Sequence, residues 1–318
     1  MRQLACCAVL ALVAAAAAAQ DYPTHPIRLV MPNAPGSSID TVGRLVSVRL
    51  GEVLGQTIVI ENRAGAAGAI GIETAKTANP DGYTLLFASA SGMAIAPLLQ
   101  KQIPYDPLND FAFVSLVAVM PNVLVVNPAL PIGSVKELIE YSRANKGKVN
   151  MASAGLGAAS HLGGVLLMVM ADFESLHVPY KGGGPSVASV VAGESHWTIA
   201  PAPATMSLVK SGRLRAIAHS MPQRAPLFGD IPAVAETVPG YDYSGWAGLL
   251  APKATPKPIV EKLQAALVRA AANPALKDGF AAQGAEVVVT SPEEFRRFLE
   301  QDIANTARVV KAAGLQPE

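Results

Sequence analysis

The chain is poor in the residues that most active-site chemistry uses. It has 2 cysteines in 318 residues, and both, Cys6 and Cys7, fall in the first nineteen. That segment, residues 1–19, has the pattern of an export signal. Arg2 is its positive start, Leu4 to Leu12 opens an apolar stretch, and Ala17-Ala18-Ala19 before Gln20 fits small-residue cleavage. The stretch falls short of the roughly 20 apolar residues that span a bilayer. Only Gln3-Leu4-Ala5 stands between Arg2 and Cys6, too little for a lipoprotein signal. Cleavage near Ala19 predicts a periplasmic chain without cysteine. Disulfides, thiolate nucleophiles and cysteine-ligated metals are then excluded. Aromatic residues are only 5%, which leaves no platform for stacked bases. Lys plus Arg number 25 and Asp plus Glu 24, and loss of Arg2 leaves 24 of each. A neutral chain has no electrostatic footprint for nucleic acid or anionic membrane. The five histidines (His25, His161, His177, His196, His219) show no metal-ligand spacing, and no G-x-S-x-G elbow occurs. No cofactor is called for.

What is present is an apolar, periodic chain. Hydrophobic residues make 51% and charged residues 15%, which excludes disorder. The length predicts about two domains. Ile27 to Met31 is a strand candidate, and Asp40 to Leu54 has helical apolar spacing closed by Gly55. Thr57 to Ile60 and Tyr83 to Ala88 are further strands, with a helix from Gly68 to Ala78 between them. A second series starts near Val114. Its strands are Asn122 to Val126, Val149 to Ala152, Leu176 to Val178 and Leu214 to Ala218, and its helices start after Ser134, at Ala158 and at Pro185. Tyr243 to Leu250 is a last strand; Ile259 to Ala272 and Pro292 to Ala313 are amphipathic helices. Ser134 with Glu137, and Ser291 with Glu294, are capping boxes. This rhythm predicts an α/β fold with largely parallel sheets.

Three strand-to-helix loops are rich in small and hydroxyl residues. The first carries Asn33, Pro35, Gly36, Ser37, Ser38 and Asp40. The second carries Ser89 and Ser91. The third carries Ser153, Gly155, Gly157, Ala159 and Ser160, followed by Lys181 in a glycine turn. Helix N-termini with free amides bind anions, and open α/β sheets bind ligands outside the carboxyl ends of their strands. Each loop also fits an ordinary βα turn, with Ser38 or Asp40 as the cap of the first. The third is one residue from a G-x-G-x-x-G fingerprint, with Ser160 at the last position and Glu174 near the ribose-binding distance. Together the loops point to a small anionic ligand held by backbone amides.

A longer pattern runs through the chain. Tyr22-Pro23, Pro26 to Val30, Pro32, Ala34-Pro35-Gly36 and Asp40 come first. Glu61-Asn62-Arg63 with Gly65 and Gly68, Pro80 to Leu86, Pro104 to Pro107 and Val125 to Pro128 follow. Ser160-His161-Leu162, His177 to Gly182 and Val309 to Gly314 complete it. In this order they resemble Bug-type receptors, the solute-binding proteins of tripartite tricarboxylate transporters. The resemblance implies a two-lobed periplasmic binding protein fold (Venus flytrap, type II) with two crossover strands, Val123 to Asn127 and Ser244 to Leu250. It implies one lobe from residues 20–122 and 245–318 and a second from 123–244. It also implies a small carboxylate in the cleft and delivery to an integral-membrane permease. Cleft closure needs only a monomer. Three positions depart from the family pattern. Asn33 replaces a common aromatic, Ser37-Ser38-Ile39 a Gly-Gly-Gly-Thr-like run, and Ile199-Ala200-Pro201 a Phe-Asp-Asn run. The last loses an acid that would suit a cationic or hydroxyl group on the ligand. Two alternatives are a sensor for a membrane signalling partner and an exported α/β hydrolase-like enzyme using Ser38 or Ser160.

Overall fold

The computed structural model describes residues 22–317. The signal segment and both cysteines lie outside the described residues. Two sheets organise the chain. The first has six strands in the order β11-β4-β10-β3-β1-β2, and the second five in the order β7-β6-β8-β5-β9. The first takes β1 (Ile27–Met31), β2 (Ile58–Asn62), β3 (Thr84–Ser89) and β4 (Phe111–Met120) from the front of the chain. It takes β10 (Gly245–Pro252) and β11 (Glu286–Val287) from the back. The second is built between them, from β5 (Asn122–Val126), β6 (Asn150–Ser153), β7 (Leu176–Pro179), β8 (Trp197–Pro201) and β9 (Arg215–His219).

In the first sheet β1 pairs in parallel with both β2 and β3. In the second β6 pairs in parallel with β7 and β8. The sheets are mixed rather than largely parallel, because β10 runs antiparallel to β3 and β4, β11 to β4, and β5 to β8 and β9. Helices cover the faces: α1 (Ser38–Leu54), α2 (Ala69–Lys76) and α3 (Ala96–Leu99) around the first, and α4 (Val135–Ala144), α5 (Ala159–Met170), α6 (Gly183–Ala192) and α7 (Ala202–Lys210) around the second. Strands covered on both faces lose alternation and become apolar runs; every residue of β3 is buried, and all of β5. In α1, Val42, Val46 and Leu50 stand four residues apart and face the core, and Gly55 closes the helix at φ 70°.

Three helices complete the first body: α8 (Lys257–Ala271), α9 (Pro274–Ala282) and the 21-residue α10 (Pro292–Ala312). At 1.5 Å per residue α10 is about 30 Å long. Its start packs Phe295 against Trp246 and Phe113 of the first sheet. Its end packs Val309 and Val310 against Leu162 and Val165 of α5. One helix therefore ties the two bodies. Among the described residues no helix is long and apolar enough to cross a membrane.

The chain passes between the sheets at two short points. Pro121 separates β4 from β5, and Tyr243-Ser244 leads into β10. This places the passages differently from the expected crossovers. Val123 to Val126 lies wholly within the second sheet, and Gly245 to Leu250 wholly within the first. Proline has no N–H for a ladder bond, so the strand changes partners there. The two passages are tied together. Asn122 Nδ2 donates to the Tyr243 carbonyl at 2.8 Å, Ser220 Oγ accepts from Asn122 N–H at 2.9 Å, and Ser220 Oγ lies 3.0 Å from Ser244 Oγ.

Candidate functional site

The first loop leaves β1 and enters α1. Ser37 caps the helix, its hydroxyl accepting from the Asp40 N–H at 3.3 Å. Asp40 is buried and accepts four hydrogen bonds. Oδ2 takes the Gly36 N–H at 2.9 Å and Arg44 Nε at 2.9 Å; Oδ1 takes Arg44 Nη2 at 3.0 Å and Asn62 Nδ2 at 2.8 Å. The Arg44 hydrogen bonds, then those from Gly36 and Asn62, hold its carboxyl down to about 2 against the cost of burial. Asn62 also donates to the Asn33 carbonyl at 3.1 Å. Asp40 is thus the internal lock of this loop, and no lone pair is left for a ligand. The N–H groups of Ser38 and Ile39 have no acceptor among the described residues. Pro35, Gly36 and Ser38 are exposed, and a Cβ added at Gly36 would meet nothing within 4 Å. The Asn33 Oδ1 atom is buried with no partner among the described residues.

Ser89 ends β3, the neighbour of β1, so the first two loops share one edge of the sheet. Ser89 is buried and Ser91 exposed. The chain then turns through Ser91–Ile95 into α3.

The third loop leaves β6 and enters α5. Much of it is bonded to itself. Ser153 Oγ accepts from Gly155 N–H at 3.1 Å, and Ser160 Oγ accepts from Ala154 N–H at 2.9 Å. Gly157 N–H donates to His161 Nδ1 at 3.1 Å, and His177 Nε2 lies 2.6 Å from Ser153 Oγ. Gly155 and Gly157 sit at φ 129° and 70°, values that a side chain disfavours. Ala158 is the cap of α5 and has no side-chain oxygen, so the amides of Ala159, Ser160 and His161 make no hydrogen bond within the described residues. The next turn repeats this. Gly182 caps α6 with no side-chain bond, and its N–H ties back to the Ala154 carbonyl at 3.1 Å. Lys181 is exposed beside it. By contrast α4, α9 and α10 are capped by the side chains of Ser134, Asn273 and Ser291. The uncapped amides of α5 and α6 lie at the carboxyl edge of the second sheet; α2, α3, α7 and α8 also start without a side-chain cap.

The two bodies touch beside these loops. A Cβ on Gly157 would lie 2.7 Å from Leu99 Cδ1 of α3, and one on Gly284 would lie 2.7 Å from Ala202 Cβ of α7. The first contact sets the third loop against the helix that leaves the Ser89–Ser91 turn. As for a nucleophile, neither Ser38 nor Ser160 bonds a histidine among the described residues. The Ser–His contact that does form uses Ser153, which is wholly buried.

Arg44, Asn62, His161 and His177 were absent from the expected site. The i,i+4 spacing of Asp40 and Arg44 carried a signal for the first. Asn62 and His177 meet the loops only after the strands align, whereas His161 follows the third loop directly and bonds Gly157 four residues back.

Residues 42–315 match the family model of the tripartite tricarboxylate transporter family receptor. The chain belongs to this receptor family. Solved structures agree with that assignment. Rpa4515 of Rhodopseudomonas palustris, solved with adipate, is 34% identical with a TM-score of 0.80, covering 94% of this chain and all of its own. The periplasmic binding protein BugD is 34% identical with a TM-score of 0.76, covering 93% of this chain and all of its own. MatC of the same R. palustris, solved with malate, is 30% identical with a TM-score of 0.74, covering 91% of this chain and all of its own. The receptor has the two-lobed fold of periplasmic binding proteins, as the resemblance implied.

Proposed function

We propose that this receptor captures a small dicarboxylate between its lobes and delivers it to an integral-membrane permease, performing no chemistry. The observation that carries the reading is the pair of helices, α5 and α6, whose first amides lack side-chain caps at the carboxyl edge of the second sheet, with the turn before α5 set against Leu99 of the first body. A carboxylate there replaces water on free N–H groups and meets the positive end of two helix dipoles. The ligands of Rpa4515 and MatC, adipate and malate, are acids of this kind. The signal pattern and family membership support a periplasmic location.

In this reading the lobes are residues 20–122 with 245–318, and 123–244, with Asn122 contributed to the second sheet. Gly36, Ser38, Ser91, Gly155, Gly157, Ala159 and Lys181 face the ligand. Pro35, Ser37, Asp40, Ser89, Ser153 and Ser160 shape the loops. The receptor acts as a monomer. Asn33 Oδ1, buried and unpartnered, suits a ligand hydroxyl. Asn33→Ala is therefore expected to weaken malate more than succinate, measured by calorimetry.

The test is a thermal-shift panel of mono-, di- and tricarboxylates on the mature chain, with mass spectrometry of whatever remains bound after gentle purification. A ligand at about 100 times its Kd stabilises the folded state by about 2.7 kcal/mol. No shift with any acid and no co-purified carboxylate would overturn the reading. Capture of a permease from membranes, rather than a sensor, is the expected outcome of a pull-down.

A further inference from the structure

We propose that His161 is a positioning residue for the carboxylate loop, that it works only as a neutral ring with Nδ1 bare, and that its protonation frees the Gly157 turn and the acid held there. This rests on the receptor reading above and adds its regulation by pH.

The geometry fixes which form of the ring the loop needs. Gly157 N–H donates to His161 Nδ1 at 3.1 Å, so the ring proton sits on Nε2. A protonated imidazole has two donors and no acceptor. Its Nδ1–H would then point at the Gly157 N–H, and the turn would have to move. Movement there is felt twice, because Gly157 also abuts Leu99 of the other lobe.

The surroundings hold the ring neutral. His161 is the third residue of α5, inside the turn where the helix dipole opposes positive charge. It is only 4% exposed. Its face lies on His177, with centroids 3.9 Å apart and planes 16° apart. Two stacked rings at that distance resist a shared positive charge. His177 in turn stands against Ser153, which accepts the Gly155 N–H. Both ends of the loop therefore hang from the stacked pair. Burial first, and then His177, hold His161 down to about 4. The two rings line a groove of about 860 Å³. Its charged members are Arg143 and Lys146 from α4 and the turn after it, and Asp172 and Glu174 from the turn before β7. The end of α10 contributes only Ala312, Ala313 and Leu315. Two cations face two anions, so the groove adds no strong bias of its own.

The experiment uses ligand-free, 15N-labelled mature protein. At neutral pH the His161 ring is expected as the Nε2–H tautomer, with a protected Gly157 amide. Both signatures should vanish together as pH falls toward about 4. His161→Asn places an amide oxygen where Nδ1 stands and cannot be protonated. It should keep the Gly157 amide protected in acid, whereas His161→Leu should lose it at every pH. Calorimetry with adipate and malate gives the second readout. The acids lose charge themselves near pH 4, so the two proteins are read against each other: between pH 7.5 and pH 4 wild type should lose about twofold more affinity than His161→Asn. An Nδ1–H tautomer, or a Gly157 amide that ignores the His161 titration, overturns the proposal. So does a His161→Leu protein indistinguishable from His161→Asn. If the amide follows the ring but neither acid binds at any pH, the receptor reading fails and the loop assignment stands.

Discussion

Asp40 is where one side chain decides the shape of a ligand loop. Its spacing to Arg44 was visible in the sequence, as was its place at a helix start. Its partner Asn62 arrives from the end of β2, 22 positions along the chain, and nothing local announces that. The outcome separates two jobs that the sequence left together. Ser38 is exposed and free, whereas Asp40 is consumed by the loop itself. Asp40→Asn removes the charge and two of the four acceptor positions while keeping the shape. We expect it to lower unfolding stability by about 1–3 kcal/mol at neutral pH, read from denaturant or thermal melts. The sign of the pH dependence follows from the lowered pKa. Folded Asp40 titrates near 2, below its unfolded value, so its contribution is complete above about 4 and fades as pH falls toward 2. The gap between wild type and Asp40→Asn should close over that window. A gap that stayed constant would mean that the charge plays no part.

At the scale of elements, the parts with local signals were legible. The caps at Ser134 and Ser291 are formed, and Pro292 opens α10. Several pieces were not, among them β8, β11 and α9, and also α3 and α7. β8 is a five-residue strand, nearly all buried in the middle of its sheet, so it has no alternation to detect. β11 has two residues and exists only because β4 pairs with it. α9 follows α8 after a break at Asn273, and its nine residues give little periodicity. The packing of α10 on β10 rests on a residue that patterns overlook. A Cβ added to Gly248 would lie 2.2 Å from the Phe295 ring, which is fully buried between Trp246 and Phe113. Gly248→Ala must displace that ring. The expected loss is about 1–3 kcal/mol in a thermal or denaturant melt. A melt unchanged from wild type would show that α10 is free to shift on the sheet.

At the scale of the molecule, two short passages and three packed contacts set how the lobes meet. The passages at Pro121 and Tyr243-Ser244 are a few residues wide and tied through Ser220, which suits rotation more than sliding. The contacts are α10 on α5, Gly284 on Ala202, and Gly157 on Leu99. No residue pattern announces the last two, because each sets a glycine turn of one lobe against a helix of the other. The Gly157 contact allows a direct test. Leu99 is half-buried, so enlarging it spares the core of its own lobe. There is no slack opposite it, since even a methyl group on Gly157 would overlap. Leu99→Trp should therefore act as a wedge. The closed state loses, and an acid that binds by bridging the lobes loses with it. About 1.4 kcal/mol against closure lowers affinity tenfold. We expect at least that loss by calorimetry with adipate, a larger radius by small-angle scattering in its presence, and a ligand-free melt close to wild type. Unchanged affinity with the tryptophan in place would mean that the Gly157 turn and α3 do not close on the ligand, and the cleft would have to be sought elsewhere on the two sheets.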